Sequence, residues 1–207
     1  MKIKCFKSEI VILAATHNIG VLTPEWLKEK GQIKEKPKQS IFLQNISLFE
    51  SESFLIIANP DRLQLIAKKQ TPETLKTLTK VATEYIKSSP YISYTALGLN
   101  FIWALSAEDN ENLPKISNSI GNIKDFSSIF PIGKVNYGSI IYVKNDPYLL
   151  RLVVEPANPK SYTFNFNYHH ILKGLDADRI KAYAERFLDL YKDSERIITA
   201  ISKGENK

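Results

Sequence analysis

The sequence predicts an α+β protein in which antiparallel β-sheets carry long helices on one face. Three observations predict it. Short β-rich runs bounded by turn residues fill much of the chain. Two long amphipathic helices with clear start signals stand near the middle and at the C-terminus. The order strand, helix, three strands joined by tight turns, long helix occurs from Glu9 to Ser88 and again from Ile92 to Lys203.

Glu9–Thr16 reads as the first strand. Thr23 supplies a capping hydroxyl for a short helix over Pro24–Lys30, where Pro24 takes the first helical position and Gly31 closes the element. Trp26 and Leu27 are its expected core contacts. Strands follow at Ser40–Phe49, Ser53–Ala58 and Arg62–Lys68, separated by the polar run Glu50–Ser53 and by Asn59-Pro60-Asp61. Thr71-Pro72-Glu73 then offers a cap, a proline pre-set for helix and an acid beside the positive helix end. Leu75, Leu78, Val81, Ala82, Tyr85 and Ile86 recur at helical spacing, and Pro90 ends the run.

Ile92–Leu105 is apolar on both faces: Leu97, Leu99, Phe101 and Trp103 on one, Ile92, Ala96, Ile102 and Ala104 on the other. Such a strand belongs in the middle of a sheet, covered on both sides. Tyr94, Gly98 and Asn100 share the second face, and a glycine inside a strand signals a bend, a close backbone approach or room for a ligand. A helix is expected within Asn112–Phe126, with Ile116, Ile120, Ile123 and Phe126 on one side. Strands at Ser139–Lys144, Tyr148–Glu155 and Tyr162–His169 are separated by Asn145-Asp146-Pro147 and Pro156–Lys160. One long C-terminal helix starts near Asp176, carries Ile180, Tyr183, Phe187, Leu190, Tyr191, Ile197, Ile198 and Ile201 along a stripe, and meets Gly204 as its stop.

These elements divide the chain into an N-terminal β-α-β-β-β-α half, residues 1–90, and a C-terminal half of the same pattern, residues 91–207, packed as a single compact unit. Each half is expected to form a four-stranded antiparallel sheet covered by its long helix, and the pattern leaves open whether the halves make one continuous curved sheet or two subdomains. The passage from the Thr71 helix into Gly98-Leu99-Asn100-Phe101 resembles an uncharacterised, sporadically distributed prokaryotic protein family of unknown function, whose members have two β-rich halves. The likeness covers most of the chain in element order and a short stretch at motif level. Leu99 stands where the family's pattern has an arginine beside the glycine. The resemblance implies no activity. The arrangement is also similar to helix-grip and TATA-binding-like architectures, which carry no function by themselves.

The 207 residues suffice for a sizeable core without metal or disulfide support. Cys5 is the only cysteine, which excludes an intramolecular disulfide and a cysteine-based zinc site within one chain, and suits a reducing compartment. The apolar run Ile10–Ala15 is too short for a signal-peptide core or a membrane span, so a soluble cytoplasmic protein with no membrane partner is expected.

The net charge of +6 invites a nucleic-acid partner. Residues 1–103 hold 14 basic against 9 acidic side chains, residues 104–207 hold 14 against 13, and only five of the basic residues are arginine. Lysine lacks the planar two-pronged donor that reads bases, and Glu29 and Glu35 interleave the densest lysine cluster, Lys28–Lys38. A nucleic-acid surface would draw on Lys34, Lys36, Lys38, Lys68 and Lys69.

No motif fixes a chemistry. Glycine-rich phosphate loops, nucleophile elbows and metal-binding histidine spacings are all missing, so no cofactor and no metal are expected. His169 and His170 are neighbours on a strand and point to opposite faces, while His17 could join either only through the fold. The acid pairs Glu50/Glu52 and Asp176/Asp178 are explained by turn polarity and by the helix dipole. Tyr162, Phe164, Phe166 and Tyr168 alternate with Thr163, Asn165, Asn167 and His169, giving one aromatic face and one row of hydrogen-bonding groups. The reading is a non-enzymatic binding or protein-interaction module taking a protein partner or a small apolar ligand, with a homodimer compatible. Its pocket is expected between sheet and helix, lined by Tyr85, Tyr94, Asn100 and Trp103. The alternatives are a nucleic-acid-associated protein and an enzyme whose site is assembled from distant residues.

Overall fold

The computed structural model describes residues 1–108, 113, 138–158 and 160–203. Its described strands are β1 (Lys2–Ala14), β2 (Gln39–Leu43), β3 (Ile46–Glu50), β4 (Phe54–Asn59), β5 (Arg62–Ala67), β6 (Tyr94–Ser106), β7 (Ser139–Asn145), β8 (Tyr148–Asn158) and β9 (Ser161–Ile171). They form one antiparallel sheet in the order β2-β3-β4-β5-β1-β6-β9-β8-β7. The helices α1 (Pro24–Glu29), α2 (Pro72–Ser88), α3 (Ala177–Glu185) and α4 (Phe187–Lys203) pack on it. This is the α+β class that the sequence predicts. The expected helix within Asn112–Phe126 and the Gly204 stop lie outside the described residues.

The two expected four-stranded sheets are a single sheet, joined where β1 pairs antiparallel with β6 from Lys2↔Ser106 to Ala14↔Tyr94. The first strand begins seven residues earlier than the expected start at Glu9, because Lys2–Ser8 pairs with the far end of β6. Ser40–Phe49 is a hairpin rather than one strand, turning at Gln44-Asn45 between β2 and β3. The C-terminal helix breaks at Arg186: α3 packs against α2, whereas α4 crosses β6, β1 and β9. One straight rod could not lie against both surfaces, so the chain changes direction between them.

Alternation decides the layers. Ile10, Ile12, Leu63, Leu65, Phe101 and Phe166 face the helices and are fully buried with Leu78, Val81 and Phe187. Phe101 stacks on Phe187 at 5.1 Å between ring centres, and Trp103 tilts against Tyr191 at 4.9 Å. Thr71 caps α2 by accepting from the Thr74 N–H at 3.2 Å. Gly31 admits no side chain: a Cβ there would stand 2.7 Å from the Leu27 carbonyl oxygen, and the next residue, Gln32, takes the left-handed conformation at φ 54°.

The opposite face of the sheet carries the other half of each strand's side chains; many of these are half-buried or exposed, while Glu9, Ala96, Ala104 and Val153 are buried. Val11, Leu13, Leu48, Leu55, Ile57 and Ile66 are half-buried there, Ile41 is exposed, and Arg62, Gln64, Asn100, Asn167 and His169 sit among or beside them. No described helix is long and apolar enough to cross a membrane.

Candidate functional site

The centre of the sheet face opposite the described helices is polar. β1 places Glu9 opposite Asn100 of β6, and Asn100 lies opposite Asn167 of β9, so one lateral row crosses three strands. Glu9 is only 9% exposed. Its Oε2 accepts from Gln64 Nε2 at 2.6 Å and pairs with Lys7 Nζ at 2.8 Å, and its Oε1 accepts from Asn100 Nδ2 at 3.3 Å. Asn167 Nδ2 in turn donates to Asn100 Oδ1. Each amide is thereby oriented by its neighbour, because a carboxylate can only accept and so forces the –NH₂ of Gln64 and Asn100 towards itself.

Gly98 lies one row further along the same face, between Val11 and His169. A Cβ at Gly98 would sit 3.5 Å from Asn100 Nδ2 and 3.6 Å from Asn167 Nδ2, in ordinary contact. The missing side chain leaves a depression of about 310 Å³ bordered by Glu9, Arg62, Gln64, Gly98, Asn100, Asn167 and His169, with Val11, Leu13 and Ala96 as its apolar part. Among the described residues, Arg62 and His169 make no side-chain hydrogen bond or ion pair, which leaves a cation and an imidazole beside the depression. The arrangement can hold a ligand by hydrogen bonds. Its carboxylate is engaged by three donors of the protein, and its amides do not transfer protons at ordinary pH.

Of the four residues expected to line a pocket between sheet and helix, the structure places only Asn100 in this depression. Tyr85 and Tyr94 meet in a different cluster. Tyr85 Oη lies 3.0 Å from His17 Nδ1, Tyr94 Oη donates to the Ser89 carbonyl at 3.1 Å, and both rings are buried. Tyr94 is expected on the face of Gly98 and Asn100 and is found on the helix side. The register advances one residue on β1, Leu13 to Ala14, for two on β6, Ala96 to Tyr94, and a bulge of that kind swaps faces. Trp103 is buried further along β6 under α4, where its indole N–H donates to Ser194 Oγ at 2.9 Å. The four therefore do not line one cavity.

The five lysines of the alternative reading lie around the first hairpin and the start of α2. Three of them face carboxylates: Lys38 pairs with Glu52, Lys68 with Glu50 at 2.9 Å, and Lys69 lies 3.7 Å from Glu52. Lys34 and Lys36 flank Glu35, which accepts from the Ser53 N–H at 3.1 Å. A cleft of about 550 Å³ next to them is bordered by Lys34, Lys69, Lys76 and Lys80 together with Glu35 and Glu73, so its charge is mixed.

The three histidines stand apart in environment. His17 is buried with both nitrogens engaged, His169 borders the depression, and His170 is fully buried on the helix side with neither ring nitrogen partnered. His170 stacks on Tyr183 at 4.8 Å and meets Tyr148 edge-on at 5.7 Å. Burial, helped by the nearby Arg186 charge, pushes its pKa down to about 4. Cys5 is buried against Ser8 and Gln70, and that burial raises its thiol pKa, which suits a core residue. Among the described residues no group of three or more His, Cys, Asp or Glu converges to hold a metal ion.

Glu9, Gln64 and Arg62 are the site residues that the sequence reading missed. Their signal was local: Glu9 and Gln64 are lone polar residues inside apolar runs, SEIVILA and RLQLIA, and polar groups in such runs need partners. No protein-family model matches the chain, and no curated protein matches it.

Proposed function

We propose that the protein is a non-enzymatic binding module and that its ligand sits on the sheet face opposite the described helices, over Gly98. The observation that carries this reading is the hydrogen-bonded chain Gln64–Glu9–Asn100–Asn167, whose amides are held in fixed orientation around a depression floored by a glycine. Preorganised amides lose little freedom when a ligand binds, and a small hydrogen-bonding molecule with an apolar edge matches both the amides and the neighbouring Val11, Leu13 and Ala96.

A fragment screen read by NMR tests it, monitoring the side-chain amides of Gln64, Asn100 and Asn167 and the His169 ring. Fragments that perturb these resonances, and that lose binding in Gly98→Val, are the expected result. Fragments that gather instead in the Lys34–Lys80 cleft, or that perturb none of the four residues, overturn it.

A further inference from the structure

The depression over Gly98 also indicates what kind of molecule it takes, an inference that rests on the reading of that depression as the binding site. Three successive lateral rows build it. The first holds Arg62 of β5 beside Leu13 and Ala96, the second holds Val11, Gly98 and His169, and the third holds Glu9, Asn100 and Asn167. Leu13 and Glu9 are four residues apart on β1, which sets the first row roughly 13 Å from the third at the rise of an antiparallel strand. The depression is therefore elongated, with a guanidinium at one end, the amides at the other and aliphatic side chains between.

The two ends differ in what they still lack. Arg62 is exposed and, among the described residues, makes no side-chain hydrogen bond or ion pair. Glu9 is buried and already held by Lys7, Gln64 and Asn100, so its charge is answered within the chain. At the amide end, the bonds that orient Gln64 and Asn167 use their –NH₂ groups. Both amide oxygens are left without a donor among the described residues.

We infer that the ligand is a small monocarboxylate bearing an N–H or O–H donor at its far end. Arg62 takes the carboxylate through two parallel N–H···O bonds, the geometry for which a guanidinium is pre-shaped. The donor end reaches the amide oxygen of Gln64 or Asn167, and the body covers Gly98 against Leu13, Val11 and Ala96. Arg62 is the one permanent cation among the described residues that border the depression, which matches a single negative charge. A doubly charged phosphate group would leave one charge unanswered in a depression that Glu9 also borders. The volume of about 310 Å³ suits a molecule of this size.

NMR titration at low ionic strength with para-hydroxybenzoate and its neutral counterpart, para-hydroxybenzamide, tests the inference. The carboxylate should shift the side-chain amides of Gln64, Asn100 and Asn167 and bind at least about tenfold more tightly than the amide. Arg62→Gln should bring the carboxylate down to the amide's affinity. Arg151→Gln should leave the difference intact, because Arg151 is exposed on the same face opposite Asn167 and does not border the depression. Equal affinities in the wild type overturn the inference, as does a preference that survives Arg62→Gln or vanishes in Arg151→Gln. In each of those cases the probes still report from the same amides, so the depression stands as the site. If neither probe nor any other fragment shifts those amides, the site itself fails and the inference with it. Should Arg62→Gln fail to fold, the wild type decides: the preference should shrink as salt rises, since an exposed ion pair is screened, and a salt-independent preference overturns the pairing.

Discussion

His17 and Tyr85 share a hydrogen bond in the core that fixes the state of both. Nδ1 of His17 lies 3.0 Å from Tyr85 Oη, and Nε2 lies 3.0 Å from the Ile12 carbonyl oxygen. A carbonyl can only accept, so Nε2 carries the proton and Nδ1 accepts from the tyrosine hydroxyl. The pair ties the end of β1 to α2, and burial holds the imidazole below its ordinary pKa and the phenol above its own. Both groups are locked in a structural role.

Tyr85→Phe removes the donor and leaves His17 Nδ1 buried without a partner. An unsatisfied buried acceptor costs about 1–3 kcal/mol. Urea unfolding should report a midpoint lowered accordingly with an unchanged slope, and a midpoint equal to the wild type's would show that the bond contributes nothing net.

His170 makes stability depend on pH. Its folded pKa of about 4 lies below its ordinary 6.5, so between those values the unfolded chain binds more protons than the folded one. The stabilisation from keeping this group neutral is fully present above about pH 6.5 and is lost as pH falls towards 4. Thermal unfolding from pH 7 to 4 should show a decline that is shallower in His170→Phe, which keeps an aromatic ring between Tyr183 and Tyr148. Equal slopes for the two proteins would refute the assignment.

Ser194→Ala separates hydrogen bonding from packing at the α4–β6 contact. It deletes one oxygen and leaves the Trp103 indole N–H without its acceptor in a closed site. The expected loss is about 1–3 kcal/mol, more than an alanine at a surface serine costs. Denaturation followed by Trp103 fluorescence measures it, with Trp26→Phe as the background.

Gly98→Ala should stabilise the fold while obstructing the depression. Contacts of 3.5 and 3.6 Å leave room for the methyl group, and glycine within a strand costs roughly 0.5–1 kcal/mol relative to alanine. A higher melting temperature together with weaker fragment binding is the expected pair of outcomes. A lower melting temperature would mean that the backbone at this position does not tolerate a side chain.

Much of the architecture was legible locally. Thr23 and Thr71 both cap the helices that their position before proline announces. β6 lies inside the sheet, beside the central strand β1, as an apolar strand of its length should. His169 and His170 face opposite ways, as strand neighbours must. The misreadings share one origin. The turn at Gln44-Asn45 lacks glycine and proline, so an apolar run that folds back looked continuous. The stripe of the C-terminal helix passes through Arg186 without interruption, because each segment is apolar on the side facing its own support. Tyr94 was assigned to the wrong face because alternation assumes a regular strand, and the bulge opposite Leu13 and Ala14 resets it.

The sequence by itself determined the α+β class, the capped helices, most strand positions and the aromatic face of β9, because these rest on spacing, capping chemistry and alternation within about ten residues. The tertiary structure alone decided that β1 and β6 join the strands into one sheet, that the helices share one face, and that Glu9, Gln64, Asn100 and Asn167 meet over the other. Those outcomes depend on which strands pair and in what register, between residues as far apart as Glu9 and Asn167, 158 positions from each other at the same depression. A periodicity names two faces for every strand. Only the packing of distant elements decides which of them the described helices cover.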